Sequence, residues 1–335
     1  MDFDRLTELV FVPGISGREE LVRQKIGEML PSGMDYSEDR LGNLSVIIGE
    51  GDTTIGFAAH MDEIGLLITG IEENGTLSFR KVGGVLDELL PGRHMDVITS
   101  SGEVVEGVIG VVPPHLRGSG SENGQMQVID VGAQSVEEVQ DMGIKVMDYA
   151  VFRKQVSILR EHYIAVRALD DRFGCSLLLD LAQVLSRKKP NCRIVLSWTV
   201  QEEIGLYGAH AVSNCQDLDA FFPVDSFGCC SRLTGSVKPG QGPVLRMSDS
   251  RSLASYELSQ RVIRLANQKK IPLQYGATGG GTDGIPFVQK GVRMVPLALA
   301  MKYLHSETEC LHVDDYDNLF NLMQEICRDP EGIVR

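Results

Sequence analysis

Apolar residues recur at helical spacing from the start of the chain, with Phe3, Leu6, Leu9 and Val10 on one face. Pro13-Gly14 breaks that run. Ser16-Gly17-Arg18-Glu19 then has the capping-box pattern that restarts a helix through Leu30. Short apolar strands are expected at 43–48 and 54–59. Between about 66 and 159 the texture changes. This stretch is rich in Gly and Val, with strand-like runs at 77–80, 96–99, 104–112 and 126–131, turn signals between them, and one short helix at 136–141. After about 163, strands and helices alternate: a strand ending at 169, helix 171–185, strand 193–200, helix 208–214, strand 220–224, helix 252–269, strand 294–300 and helix 314–328. Such alternation implies an α/β fold, with helices on both faces of the sheet. The first sixty residues end in strands that need this sheet for partners. The chain is therefore read as a discontinuous α/β domain, 1–65 and 160–335, interrupted by a small β-rich domain, 66–159. It contains no internal repeat.

Composition narrows the function without naming it. The 335 residues are 43% hydrophobic, enough for a full core, and 46 acidic side chains against 32 basic ones give a net charge of −14. A surface of that sign repels phosphate backbones, so neither nucleic acid nor an anionic membrane is expected as a partner. The beginning, MDFDRLTELV, lacks a signal-peptide pattern, and no run of eighteen apolar residues suggests a membrane span. Seven cysteines, an odd number with no C-x-x-C pair, argue against a disulfide framework and for a cytoplasmic location. Adjacent Cys229 and Cys230 read as packing residues.

Five apolar segments share one feature: each runs into an acid or a histidine. They end in His60-Met61-Asp62, Asp170-Asp171, Glu202-Glu203, Asp225 and Tyr303-Leu304-His305. In an open α/β sheet the carboxyl ends of the strands meet at one edge, where ligands bind. Histidines and carboxylates gathered there suit zinc, cobalt or manganese. Each position also has a plainer reading. A lone buried histidine such as His60 is usually a satisfied core residue, but Asp62 has the same-face strand spacing that lets a carboxylate orient its second ring nitrogen. Asp170-Asp171-Arg172 reads either as a helix cap with an ion pair or as a carboxylate bridging two metals. Glu202-Glu203 would be costly inside a protein without cations; with metal, one glutamate ligates and the other remains free as a general base. Asp225 follows Phe-Phe-Pro-Val, where an unpaired acid is expensive, and His305 could simply cap the next segment. The loop Gly279–Gly284 reads equally as a pocket lining or a plain turn, and lacks the lysine of a phosphate-binding loop. His94, His115, His162, His210 and His312 read as surface or structural. No Gly-x-Ser-x-Gly elbow supports a serine nucleophile.

The order His60-Met61-Asp62, Asp170-Asp171-Arg172, Glu202-Glu203-Ile204-Gly205, Asp225 and Tyr303-Leu304-His305-Ser306 resembles the dinuclear metallo-aminopeptidases. It is most similar to the tetrahedral or glutamyl aminopeptidase family, also labelled endoglucanase or cellulase M. Pro13–Glu19, Asp39–Asn43, Gly107–Gly110, Met142–Ile144 and Gly281–Asp283 extend the resemblance over nearly the whole chain. Lys302 stands where the pattern has Arg. The resemblance implies a zinc-aminopeptidase-like mixed sheet and a PDZ-like inserted domain serving oligomerisation and substrate access. It also implies two divalent metal ions, zinc foremost with cobalt or manganese as alternatives. One would be held by His60, Asp170 and Asp225, the other by Asp170, Glu203 and His305. Asp62 would orient His60, and Glu202 would be the general base. Asp170 is taken as the bridge in preference to Asp171. The expected activity is release of N-terminal residues from peptide substrates by a homo-oligomer, a tetrahedral dodecamer. Two competing readings are a metal-independent glycoside hydrolase, which needs only two carboxylates, and a non-catalytic binding protein on the same scaffold.

Overall fold

The computed structural model describes residues 3–113, 115, 127–229 and 231–335. It divides into two compact units, Met1–Glu63 with Val156–Arg335, and Ile64–Gln155. Met126, Cys230 and the polar stretch after His115 lie outside the described residues.

The larger unit begins with helices α1 (Phe3–Phe11) and α2 (Glu20–Met29), followed by strands β1 (Ser37–Glu38), β2 (Leu44–Ile48) and β3 (Thr54–His60). The inserted unit contributes β4 (Gly65–Ile71), β5 (Thr76–Val82), β6 (Arg93–Ile98), β7 (Val104–Ile109), β8 (Ile129–Asp130), helix α3 (Val136–Asp141) and β9 (Tyr149–Phe152). Its strands close into a barrel in the order β4-β5-β8-β7-β6-β9 around Leu66, Ile68, Met95, Val97 and Ile129. The larger unit resumes with β10 (Ser157–Leu159), β11 (Tyr163–Ala165), α4 (Leu169–Arg187), β12 (Arg193–Thr199), α5 (Tyr207–Cys215) and β13 (Ala220–Gly228). Then come β14 (Val244–Ser248), α6 (Tyr256–Lys269), β15 (Gln274–Ala277), α7 (Ile285–Gln289), β16 (Arg293–Met294), β17 (Leu297–Met301), β18 (Cys310–His312), α8 (Val313–Arg328) and α9 (Pro330–Val334).

The main sheet is mixed, in the order β1-β2-β12-β3-β13-β17-β14-β15, with β16 beside β13. β12, β3, β13 and β17 run parallel, while the outer pairings β1–β2, β2–β12 and β14–β17 are antiparallel. β3 is buried at every position because a strand lies on each side and apolar layers cover both faces. The stripe Tyr316, Leu319, Leu322, Met323 and Ile326 turns one face of α8 into the main core.

Several boundaries differ from expectation for local reasons. The strand expected to end at 169 stops at Ala165 and joins a separate small sheet, β10-β11-β18. α6 starts at Tyr256, not 252, because Asp249 accepts bonds from Arg251 N, Ser252 N and Ser252 Oγ, holding that stretch as a turn. Ser16 and Glu19 form no capping box on α2: Ser16 Oγ donates to Asp62, and Glu19 accepts from Gly17 N and Gln201 N.

Candidate metal centre and active site

The parallel strands β12, β3 and β13 bring their carboxyl ends to one edge. His60 is the last residue of β3, and Glu202-Glu203 lie in the turn after β12. His305 lies in the turn after β17. Two residues arrive differently from the strand-end pattern. Asp225 sits inside β13, which continues to Gly228. Asp170 comes from the entrance of α4, where Asp170 and Asp171 have non-helical dihedrals. Asp171 Oδ1 accepts from Gly174 N at 3.1 Å, the geometry of an N-cap, so the capping role falls to Asp171 and Asp170 turns toward the sheet edge. Arg172 does not complete an ion pair beside the cap. It is buried and donates to Met61 O, Leu9 O and Val12 O, with Glu63 Oε1 at 3.7 Å from its Nη2.

These residues form one cluster. Ligand atoms of His60, Asp170 and Asp225 lie within 4.8 Å of one another, as do those of Asp170, Glu203 and His305, and those of His60, Glu202 and Glu203. Asp170 belongs to two sets and Asp171 to none. Its Oδ1 lies 3.4 Å from His60 Nε2 and its Oδ2 3.7 Å from His305 Nε2, while Glu203 Oε1 is 3.3 Å from His305 Nε2. Burial opposes charge on His60, but Asp170 and Asp62 beside it raise its pKa well above the ordinary value. Burial likewise opposes charge on His305, and Glu203 overrides it, to about 9. Burial pushes Asp225 up to about 7, with Asp170 adding repulsion. Glu202 is pushed well above the carboxylate range by burial first, then by repulsion from Asp225, Glu203 and Asp283.

This donor set fits divalent metal. Oδ1 of Asp170 is buried with no hydrogen-bond partner, and clustered carboxylates beside imidazole nitrogens call for a cation.

Around the cluster lies a scaffold of buried acceptors. Asp62, fully buried, accepts from Ser16 Oγ at 2.6 Å, Glu202 N at 3.0 Å and Glu203 N at 3.1 Å. His60 Nδ1 is 3.0 Å from the Asp62 carbonyl oxygen and 3.5 Å from Oδ1, so the hydrogen bond expected from the Asp62 carboxylate is made by its backbone carbonyl. Three further positions have roles here that the pattern does not assign, Glu19 reading only as part of a helix cap. Glu19 holds Gln201 N at 2.9 Å, and Asn43 Oδ1 holds Val200 N at 3.0 Å. Glu309 accepts from Asp170 N at 3.2 Å and His305 N at 3.1 Å. The signal for Glu309 was a glutamate just before the apolar pair Cys310-Leu311, the kind of context that marked Asp225. Gly208 permits the close approach of this turn, since a Cβ there would lie 2.4 Å from Asn43 Oδ1 and from Val200 O.

The cluster opens on a cavity of about 510 Å³, lined also by Ile204–Leu206, Arg246, Ser250, Arg251, Leu304 and Thr278–Gly281. The glycine loop thus lines the pocket at its start. Its Asp283 is buried and takes a short hydrogen bond from Thr199.

An α/β sheet whose edge gathers imidazoles and carboxylates around one shared aspartate defines a class, the metal-dependent hydrolases. Within that class, the model of the M42 glutamyl aminopeptidase family matches residues 42–322, and the chain belongs to this family. It is 31% identical to the lysyl aminopeptidase of Pyrococcus furiosus, over 97% of this chain and 96% of that one. It is 28% identical to the glutamyl aminopeptidase of Lactococcus lactis, over 94% and 92%. Among solved structures it is similar to the TET1 peptidase of Pyrococcus horikoshii, at 43% identity and a TM-score of 0.91, covering 97% of this chain and 99% of that one. That peptidase can assemble into a tetrahedron or a large octahedral shell. The chain is therefore an aminopeptidase, a metal-dependent hydrolase of peptide bonds. No described helix is long and apolar enough to cross a membrane.

Proposed function

We propose that the enzyme uses two divalent ions, one held by His60, Asp170 and Asp225 and the other by Asp170, Glu203 and His305, with Glu202 as general base. The observation that carries this reading is the position of Asp170, whose two oxygens face different histidines. When bound, such ions polarise a carbonyl and make water acidic enough to supply a nucleophile near neutral pH. Glu202 borders the cavity beside both ligand sets and is the acid left over once each is filled. A free carboxylate so placed can take a proton from water and return it to the leaving amine. Asp62 fixes the turn that carries Glu202 and Glu203, and its carbonyl sets the ring of His60. Zinc suits the donor set foremost, with cobalt and manganese as alternatives.

The glycoside-hydrolase reading needs two carboxylates and no cation; the family and the histidines at the cluster favour the peptidase. We further infer a homo-oligomer with the tetrahedral dodecamer as its form, by analogy with similar solved peptidases, one of them a dodecamer and one able to assemble into a tetrahedron. The inserted barrel would contribute contacts and control substrate access. Six free cysteines among the described residues support a cytoplasmic location.

The test is metal analysis with kinetics. Wild-type protein should carry two ions per chain, lose aminoacyl-anilide hydrolysis on chelation and regain it with Zn²⁺, Co²⁺ or Mn²⁺. Glu202→Gln should keep both ions and lose about 10²–10⁴-fold in kcat. Asp170→Asn should lose both ions. Full activity after complete metal removal, or near wild-type activity of Glu202→Gln, contradicts the reading.

A further inference from the structure

The cavity wall contains glycines that the fold does not itself require. Gly279, Gly280 and Gly281 line the cavity beside the cluster, and the first two are exposed. None of the three has the positive φ that favours glycine. Beyond its chain neighbours, a Cβ on Gly279 would meet no atom within 4 Å, and one on Gly280 only Arg246 Nη2 at 3.5 Å, an ordinary contact. Gly284, at the end of the same loop, is different: a Cβ there would stand 2.8 Å from Met294 Cγ. Packing explains Gly284 and leaves Gly279 and Gly280 unexplained.

The stretch is not slack either. Thr278 N donates to Ser248 O at 3.1 Å, Arg246 Nη2 donates to the carbonyls of Gly280 and Gly281, and Asp283 is tied to Thr199 at the end of β12. These ties hold the loop as a strap. They take up the carbonyls of Gly280 and Gly281, while the N–H groups of Gly279, Gly280 and Gly281 have no partner among the described residues. Between Thr278 and Thr282 the strap therefore offers main-chain donors and no side chain.

A wall bare of side chains cannot select among side chains. It suits the part of a peptide that is common to every residue, its backbone. The first residue has one main-chain carbonyl, the scissile one, which goes to the cluster; every further carbonyl lies beyond the cleaved bond. We propose that the strap is the subsite for the main chain following the scissile bond, with the N–H groups of Gly279 and Gly280 donating to its carbonyl oxygens. Glycine lets that chain come close, where an added methyl would occupy its space, and main-chain hydrogen bonds give affinity without sequence preference. This rests on the aminopeptidase reading and adds that the enzyme grips the peptide beyond its first residue.

The test uses the full-length, metal-loaded enzyme and the first residue whose anilide it cleaves fastest. That residue is attached in turn to methylamine, to butylamine and to Gly-Gly; the butylamide extends the chain without a carbonyl. Wild type should show a KM for the tripeptide at least about threefold below that for the butylamide. Gly279→Ala and Gly280→Ala should each lose at least about tenfold more in kcat/KM on the tripeptide than on the methylamide, chiefly through KM. Both variants should keep the wild-type metal content and melt at the wild-type temperature or slightly above, because a Cβ restricts the unfolded chain. A merely structural role would lower the melting temperature and slow all substrates alike. Equal losses on tripeptide and methylamide, no loss on the tripeptide, a lowered melting temperature, or a wild-type KM no lower for the tripeptide than for the butylamide overturns the subsite and leaves the aminopeptidase standing. Failure of the wild type to cleave any of these substrates overturns both.

Discussion

Replacing Asp62 by Asn tests whether the turn carrying Glu202 and Glu203 is held by charge and not by packing alone. The carboxylate is fully buried, with Oδ1 receiving Glu202 N at 3.0 Å and Oδ2 receiving both Glu203 N at 3.1 Å and Ser16 Oγ at 2.6 Å. Asparagine keeps the shape but has one acceptor oxygen. Either orientation of the amide sets its NH₂ against a backbone N–H. The Ser16 hydroxyl can rotate to accept, but an N–H cannot, so one buried donor is left unpaired at about 1–3 kcal/mol. The surviving backbone bond loses its charge assistance, about 1 kcal/mol more. The total, about 2–4 kcal/mol, is below the usual stability of a folded domain, so the variant should still fold. Urea unfolding of metal-loaded protein should show a lower midpoint at unchanged slope. Because the same N–H groups belong to Glu202 and Glu203, kcat or metal affinity should fall about 10–100-fold. An Asp62→Asn protein with wild-type unfolding midpoint, metal content and kcat would refute the argument that this buried charge organises the turn.

Glu19 allows a test by pH. Burial, with repulsion from Asp62, raises its pKa to about 7, and a single oxygen, Oε1, accepts from both Gly17 N and Gln201 N. A raised acid makes the folded state bind more protons than the unfolded one, so its contribution to stability declines as pH rises from about 4.5 to about 7. Glu19→Gln keeps the accepting oxygen and should flatten that decline in pH-dependent melting, whereas Glu19→Ala should destabilise at every pH; an unchanged pH slope in the glutamine variant rejects the assignment. Arg172→Met removes donors to Met61 O, Leu9 O and Val12 O and a cation near buried Glu63, and should cost about 3–5 kcal/mol in urea unfolding, with a loss under about 1 kcal/mol counting against it. Glu309→Gln leaves Asp170 N or His305 N facing an amide NH₂, and should weaken metal binding by about tenfold in a chelator-competition titration; unchanged affinity would show that the two ligand turns do not depend on it.

What can be read along the chain is what depends on neighbouring residues. Helical stripes such as that of α8, the apolar strands β3 and β13, and the Gly- and Val-rich change of texture between about 66 and 159, which overlaps the compact unit Ile64–Gln155, all follow from periodicity and composition. So does the unusual placement of His60, Asp62, Asp170, Glu202, Glu203, Asp225 and His305, because an acid or imidazole bordering an apolar run is expensive wherever that run is buried. Register and partners across the fold are long-range and leave no local trace. Nothing in Asp170-Asp171 says which carboxylate caps α4 and which turns to the cluster; the dihedrals at the start of α4 settle that. Ser16 and Glu19 look like a helix cap in one dimension because their spacing is right, yet the bridge between Ile15 and Glu63 carries them to Asp62 and Gln201. Arg246 and Arg251 are ordinary arginines in the sequence. Only the placement of β14 and the turn after it beside the Thr278–Gly281 loop makes them the positive wall of the cavity, since a pocket's charge is summed over residues that are distant along the chain.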